Sequence, residues 1–345
     1  MPHLKPQKQN LIVEKSRIVV IGGRGHWSYA VRGINQLPDE AVLSAISTGC
    51  EDDPGPMVST VRQNWSYPVA LYEDYRRMLD EVQPDVAVIA GPFDRHAEMC
   101  IEVLSRNIHV FCEKPIALNF ADLARVRQAF DASTPGTLLI SMVGLRTVPM
   151  VAAAKAAVDA GAVGKVKMVS ARKSYKLGNR PDFYKKRSGY GGTIPWGGSH
   201  ALDWMLYFGG APFRKLTAFH NRADNCGLDE LEICAVCAGE LTNGVLCSCT
   251  LDFLRPENAP THGDDRVRIA GTRGVIDLFQ GRAVLINDDG ERELPLLPQR
   301  QLFADMLRHL RHGGAMPVSS EESFELTRAC LEAREFADSA SLLYC

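Results

Sequence analysis

Three short segments of this chain gather residue types that can manage a hydride and a proton. The first is Ile21-Gly22-Gly23-Arg24-Gly25-His26-Trp27-Ser28, which follows an apolar run and precedes a helical pattern. Glycines at such a turn let main-chain N–H groups approach a diphosphate, and the start of the helix adds partial positive charge. The second is Glu113-Lys114-Pro115, directly after His109-Val110-Phe111-Cys112; the third is Trp196-Gly197-Gly198-Ser199-His200, with Asp203 close behind. Oxidising an alcohol needs one group to take the hydroxyl proton and a cation to steady the developing alkoxide. A histidine and a lysine suit those tasks near neutral pH. His200 and Lys114 are therefore the candidates, each with a plainer alternative: a solvated turn lysine, or a histidine that simply begins a helix.

In the glycine turn, the register Gly23-x-Gly25-x-x-Ser28 keeps two glycines and puts a small residue at the helix-packing position, a variant of the dinucleotide fingerprint. Any tight strand-to-helix turn can use glycines, so the weight comes from its place after the first strand. An acid about 20 positions on would bind the ribose hydroxyls of NAD. Here the second strand ends at Ser47-Thr48, and Glu51, Asp52 and Asp53 come slightly late. Hydroxyls alone would tolerate a 2′-phosphate, yet no arginine sits beside them to grip it, so NAD and NADP both stay open.

The stretch from Lys173 to Lys186 mixes cations with aromatics and reads as a loop. Tyr175, Arg180 and Tyr184 within it, together with Trp196, suit a polyhydroxylated or anionic ligand through stacking and hydrogen bonds. The alternative is a solvated basic loop. Tyr175 is the expected supporting hydroxyl for His200.

Positioning these segments requires a scaffold. From Arg17 to about Ser141, short apolar runs (RIVVI, AVLSAIS, VAL, DVAVIA, HVFCE, TLLISMV) alternate with amphipathic helical stretches, which predicts successive βα units and a doubly wound parallel sheet. After Pro149 one helix, VAAAKAAVDAGAVG, is followed by strand-like segments to about residue 290. These predict a largely antiparallel sheet with hairpin turns, and two helices, near 301–312 and 320–338, close the chain. The expected division is residues 1–145, of which 1–15 are an extension, and residues 146–345.

With 345 residues there is room for two cores. The formal net charge of -2 gives no footprint for nucleic acid. No apolar run approaches the roughly 20 residues that cross a bilayer, and the N-terminus lacks a secretory apolar centre, so a cytoplasmic protein is expected. Ten cysteines are scattered through apolar segments. Cys234, Cys237, Cys247 and Cys249 are spaced like a zinc set but fall in two strands turning at Thr242-Asn243-Gly244, so core thiols rather than a metal site are expected.

Taken together, the first strand and turn, Ala90-Gly91-Pro92-Phe93-x-x-His96, Glu113-Lys114-Pro115, Gly144-Leu145-Arg146-x-x-Pro149 and the Gly198-x-His200-x-x-Asp203 helix resemble the Gfo/Idh/MocA oxidoreductases over nearly the whole chain. The resemblance implies an N-terminal Rossmann domain and a C-terminal α/β domain with a large open sheet. That sheet covers the nicotinamide and often packs on another subunit, as a homodimer or homotetramer. It implies an NAD(P)-dependent enzyme acting on a sugar, cyclic polyol or derivative. Lys114 would touch substrate and nicotinamide ribose, and His200 would lie beside the reacting hydroxyl. Gly22, Gly23, Arg24, Gly25, His26, Trp27, Ser28, Ser47, Thr48, Gly91, Pro92, Phe93, His96, Glu113, Lys114 and Arg146 would line the cofactor site. Substrate contacts would come from Lys114, Tyr175, Arg180, Tyr184, Trp196 and His200.

One departure stands out: the family commonly has aspartate four residues before the histidine, and this chain has Trp196 there. Tryptophan can stack on a sugar ring but carries no proton. Either the proton route uses His200 with a nearby tyrosine or lysine, or the scaffold serves as a dinucleotide sensor or for NAD-assisted glycoside chemistry. Asp203 stands one helical turn beyond His200, where it could orient the ring or serve packing or capping instead.

Overall fold

The structure is a computed structural model that describes residues 14–47 and 55–341. Six strands, β1 (Ser16–Ile21), β2 (Ala41–Ser47), β3 (Ala70–Tyr72), β4 (Val86–Ile89), β5 (His109–Cys112) and β6 (Leu139–Ser141), pair in parallel in the order β3-β2-β1-β4-β5-β6. Helices α1 (Ser28–Asn35), α2 (Gly55–Asn64), α3 (Tyr75–Val82), α4 (His96–Leu104) and α5 (Phe120–Ala132) lie between the strands. Ile18 and Val20 enter one apolar core while Val19 and Ile21 enter another, the period-two signature of a strand covered on both faces. Strand order reverses between β1 and β4, and this opens a crevice at their carboxyl ends. All six expected strand segments overlap β1 to β6; α2 was not anticipated, because only Met57 and Val61 of it are buried and its apolar face is weak.

The second sheet has eight strands: β7 (Val166–Lys176), β8 (Phe213–Asn221), β9 (Cys234–Leu241), β10 (Leu246–Arg255), β11 (Arg266–Gly271), β12 (Gly274–Phe279), β13 (Arg282–Asn287) and β14 (Gly290–Glu293). Their order is β14-β13-β12-β11-β7-β10-β9-β8, antiparallel except for the β7–β10 pair. Among the described residues three helices, α6 (Pro149–Asp159), the single turn α7 (Arg187–Tyr190) and α8 (Ser199–Gly209), precede the later pair α9 (Leu302–His312) and α10 (Ser320–Ser341). The inner face buries Val169, Ala171, Cys247, Cys249 and Leu251, whereas Met168, Phe219, Val236, Leu246 and Leu254 stand exposed. The expected cysteine hairpin forms, with Gly244 at φ +82° in the turn and Cys237 directly opposite Cys249. Both are buried free thiols.

Residues 173–176 are not loop, as the sequence reading had it, but the end of β7. Their backbone pairs with β10 through Leu254 and bridges to Gly263, which turns Lys173 inward toward Asp265. The closing helices return to the first sheet. Phe303 of α9 packs on Phe111, with ring centres 5.0 Å apart, and against Gly33 of α1. At β6, the amides of Leu139 and Ser141 donate to Ser320 Oγ and Ser323 Oγ of α10 at 3.1 and 3.0 Å, which covers an otherwise open sheet edge.

Candidate active site

The glycine turn leaves β1 at Ile21 and immediately becomes tight. Gly22 has φ +87°, and a Cβ there would stand 2.4 Å from the Gly91 Cα, so only glycine fits. Gly25, at φ +61°, would carry a Cβ 2.5 Å from Glu113 Oε2. The two positions that require glycine are thus Gly22 and Gly25, and Gly22 lies just outside the register expected from spacing. The Arg24 amide donates to Ala90 O at 2.7 Å, pinning the turn to the end of β4. The turn then enters α1 at Ser28, with no side chain at Gly22, Gly23 or Gly25 to shield its main chain. A glycine cradle at the start of α1, closed to any side chain at Gly22, fits the diphosphate of a dinucleotide. Ser47 ends β2 beside it, its carbonyl accepting from the Gly22 amide at 3.1 Å. Thr48 and the three acids after it lie outside the described residues.

Glu113 joins this turn to the next strand. Its buried carboxylate accepts from the His26 amide at 2.7 Å and meets His26 Nδ1 at 2.6 Å. Burial alone would raise its pKa, but His26 and Lys114 outweigh that and hold it at about 2. Lys114, which precedes a cis proline, is 4% exposed. Its Nζ donates to Trp196 O at 2.9 Å, lies 3.8 Å from Glu113 Oε1, and sits 5.5 Å from the centre of the Trp196 ring. Burial lowers its pKa below the usual lysine value, with Glu113 opposing. Where the family's aspartate would stand, the chain therefore offers this lysine a main-chain carbonyl and an indole.

Trp196 lies in a π-helical turn, Ile194–Gly198, that leads into α8 and brings His200 into the crevice. A buried network holds that turn: Glu232 accepts from Tyr190 Oη at 2.6 Å and the Thr193 amide at 2.9 Å, and it pairs with Arg187. His200 is 6% exposed, and its Nδ1 meets no protein partner. Burial, then the charges of Lys114, Lys173 and His26, push its pKa well below 6.5, so the ring is neutral at ordinary pH.

Asp203 does not orient His200. It is buried against Arg146, with Oδ1 2.6 Å from Nη2, and Arg146 also reaches Glu322 and Pro317 O. Arg146, expected near the cofactor, is consumed in this structural clamp. His96 is likewise wholly buried, Nδ1 2.8 Å from Pro115 O and Nε2 3.1 Å from Gly91 O. It ties the β4 loop to the β5 loop, and any part it takes at the site passes through those two carbonyls. Pro92 precedes Phe93, which is buried in an aromatic cluster with Phe183 and Tyr184. Arg24 stacks over Phe183 at 4.5 Å, linking the glycine turn to the second domain.

The second domain completes the site. Lys173, 2% exposed, pairs with Asp265 Oδ2 at 2.5 Å, and Asp265 Oδ1 is buried without a partner. Burial lowers the Lys173 pKa, Asp265 opposes, and nearby Lys114 lowers it further. Tyr175 stacks on Phe253, 6.1 Å between centres, and burial raises its pKa, so it can donate a hydrogen bond but is no base near neutrality. Arg180 lies over Tyr184, Trp196 and Phe253. Sequence reasoning named Lys173 only as part of a loop and missed Asp265 and Phe253. One of two adjacent acids ahead of β11 and one phenylalanine within β10 carry no spacing signal, since only the strand pairing brings them together.

Two family models match. Residues 16–134 match the oxidoreductase family with an NAD-binding Rossmann fold, and residues 151–277 match the GFO/IDH/MocA C-terminal domain. The chain belongs to the Gfo/Idh/MocA family. Membership makes it an oxidoreductase of the NAD-binding class. A solved Thermotoga maritima protein, described as a candidate oxidoreductase, is 40% identical, with 94% of this chain and 98% of that one aligned at a TM-score of 0.89. Levoglucosan dehydrogenase, solved with NADH, shares the fold at 16% identity and a TM-score of 0.80, over 94% of this chain and 98% of that one. Inositol 2-dehydrogenase from Salmonella typhimurium is 27% identical over 139 residues, which spans 39% of each chain. Among the described residues, no helix of this member of the family is long and apolar enough to cross a membrane.

Proposed function

We propose that the protein oxidises a hydroxyl, or reduces the matching carbonyl, of a sugar, cyclic polyol or related compound with NAD or NADP. Named relatives that act on inositol and levoglucosan support the substrate class. The observation that carries the reading is His200: a buried, neutral imidazole with a bare Nδ1, placed beside two buried lysines at the mouth of the glycine turn. Held by the Gly22–Ser28 amides, the dinucleotide would supply the hydride acceptor or donor. His200 takes the hydroxyl proton during oxidation and returns it during reduction. Lys114, kept in place by Trp196 O and Glu113, steadies negative charge on the substrate oxygen, and Lys173 adds to the local positive field. Tyr175 offers a hydroxyl donor. Trp196 and Phe253 give a sugar ring two apolar faces and exclude water.

Calorimetry with the four nicotinamide dinucleotides, followed by a screen of polyols and sugars for a change in reduced-nicotinamide absorbance, tests this. Saturable binding and at least one turned-over substrate, with turnover lowered by at least about 100-fold in His200→Ala, are expected. Tight dinucleotide binding with no turnover anywhere in the screen would instead favour a sensor, the reading that Trp196 in place of an aspartate motivates.

The exposed apolar row on the second sheet supports a homodimer or homotetramer built on that face. Met168 and Leu246 are paired neighbours across β7 and β10, and Phe219 and Val236 across β8 and β9. Light scattering on Leu246→Asp, expected to show a smaller particle than the unaltered protein, tests it.

A further inference from the structure

Most arginines described in this chain are answered by carboxylates: Arg146 by Asp203, Arg187 by Glu232 and Asp338, Arg172 by Asp264. Arg180 is not. Its guanidinium lies 4.9 Å from the centre of Phe253, 5.1 Å from Trp196 and 5.6 Å from Tyr184. Among the described residues its one hydrogen bond runs from Nη2 to Lys176 O at 3.2 Å, and its Nε is buried with no acceptor. A guanidinium carries five N–H donors, so most of this one's capacity is unspent. Burial pushes its pKa below the usual arginine value, and the only groups that oppose are the hydroxyls of Tyr184 and Tyr175. Aromatic faces attract the cation, but they leave its in-plane donors unanswered.

The position matters as much as the deficit. Trp196 is shared: Lys114 Nζ lies 5.5 Å from its ring centre, and Arg180 Cζ lies 5.1 Å from the same point. A ligand resting on Trp196 with its reacting carbon toward Lys114 and His200 therefore has Arg180 within reach of a substituent farther along the ring. Resting on the dehydrogenase reading above, we propose that the substrate is a sugar acid whose carboxylate is received by Arg180. A carboxylate matches a planar guanidinium edge in shape, and its single charge balances a single cation. A phosphate, with a charge near -2 at neutral pH, asks for more than a single guanidinium supplies. The surroundings agree: Asp265 and Glu113, the acids beside the two buried lysines, each already pair with one of them.

The test is calorimetry on the full chain saturated with NADH. The titrants are matched sugars that differ only at carbon six: glucose, glucuronate and glucose 6-phosphate, and the same three for galactose and mannose. In at least one series the uronate should bind at least 10-fold more tightly than the neutral sugar. Arg180→Met should erase that preference, Arg180→Lys should restore part of it, and the NADH Kd should stay within a few fold in both variants, which shows that they fold. Equal binding of acid and neutral sugar, binding by no uronate, stronger binding by the phosphates, or a preference that survives in Arg180→Met would each overturn the carboxylate assignment. Turnover assays on the same series separate this from the broader reading. A uronate held through Arg180 but never oxidised counts against the dehydrogenase, whereas neutral sugars oxidised without any acid preference count against Arg180 alone.

Discussion

The two walls of the crevice are built on different physical terms. The wall from the first domain is main chain: the glycine turn at the start of α1, a glycine where a Cβ would strike Gly91, and carbonyls of Ala90 and Ser47 that pin the turn. The wall from the second domain is side chain: Lys173 from β7, Trp196 from a π-helical turn, Phe253 from β10 and Asp265 from just before β11. Amides recognise what every dinucleotide shares, so that wall can stay constant while substrates change. Side chains gathered from several strands can be exchanged one at a time, so the second wall is where specificity can vary. Lys114 belongs to both, since it leaves the first sheet and is held by the second domain's Trp196 carbonyl.

Variants can break this contrast, and the largest effects are expected where the walls meet. His200→Ala should lower kcat by about 10²- to 10⁴-fold and Lys114→Ala by about 10²- to 10³-fold. Dinucleotide Kd should move only a few fold in either, as read by steady-state kinetics beside calorimetry; unchanged turnover in both variants would remove them from the chemistry. Next comes Asp203→Ala, which strands the buried Arg146 charge. About 3–5 kcal/mol of stability should be lost by denaturant titration, while the acid limb of the kcat profile, set by His200, should not move. A shifted limb would mean that Asp203 does reach the imidazole.

Gly22→Ala should act on the first wall alone. Forcing a side chain onto a left-handed backbone costs about 1–3 kcal/mol, and the clash with Gly91 should also weaken dinucleotide binding. Substrate preference among turned-over sugars should be unchanged, and an altered preference would show that the walls are not separable. The smallest effect concerns pH. Oxidation needs neutral His200 and charged Lys114, so activity should hold above the lowered His200 pKa and fall as pH drops through it. It should fall again as pH rises through the Lys114 pKa, which lies below 10.5. Glu113→Gln removes the neighbour that favours the ammonium, so the alkaline limb should shift to lower pH.

The same contrast explains what could be read from residues alone. The parallel sheet, the glycine turn, the Glu113-Lys114 step and the His200 helix are local in sequence, because turns and strand ends impose residue types at fixed spacing. The Cys237–Cys249 pairing was equally local, a hairpin with its turn in view. Misreadings came where tertiary partners decide. Arg146 looks free in sequence, and only folding brings Asp203 and Glu322 to it. Residues 173–176 look like a basic loop until β10 and Gly263 pair with their backbone. Asp265 gains meaning only once Lys173 arrives beside it, across a register no periodicity reveals.

The serines that α10 lays along β6 give the chain an architecture closer to a clasp than to beads on a string. A helix made some 180 residues after β6 finishes the sheet that β6 edges, so a fragment ending near residue 145 would carry a raw strand edge and an uncovered apolar surface. Such a fragment should be sticky, and early stages of synthesis should depend on protection until α10 emerges.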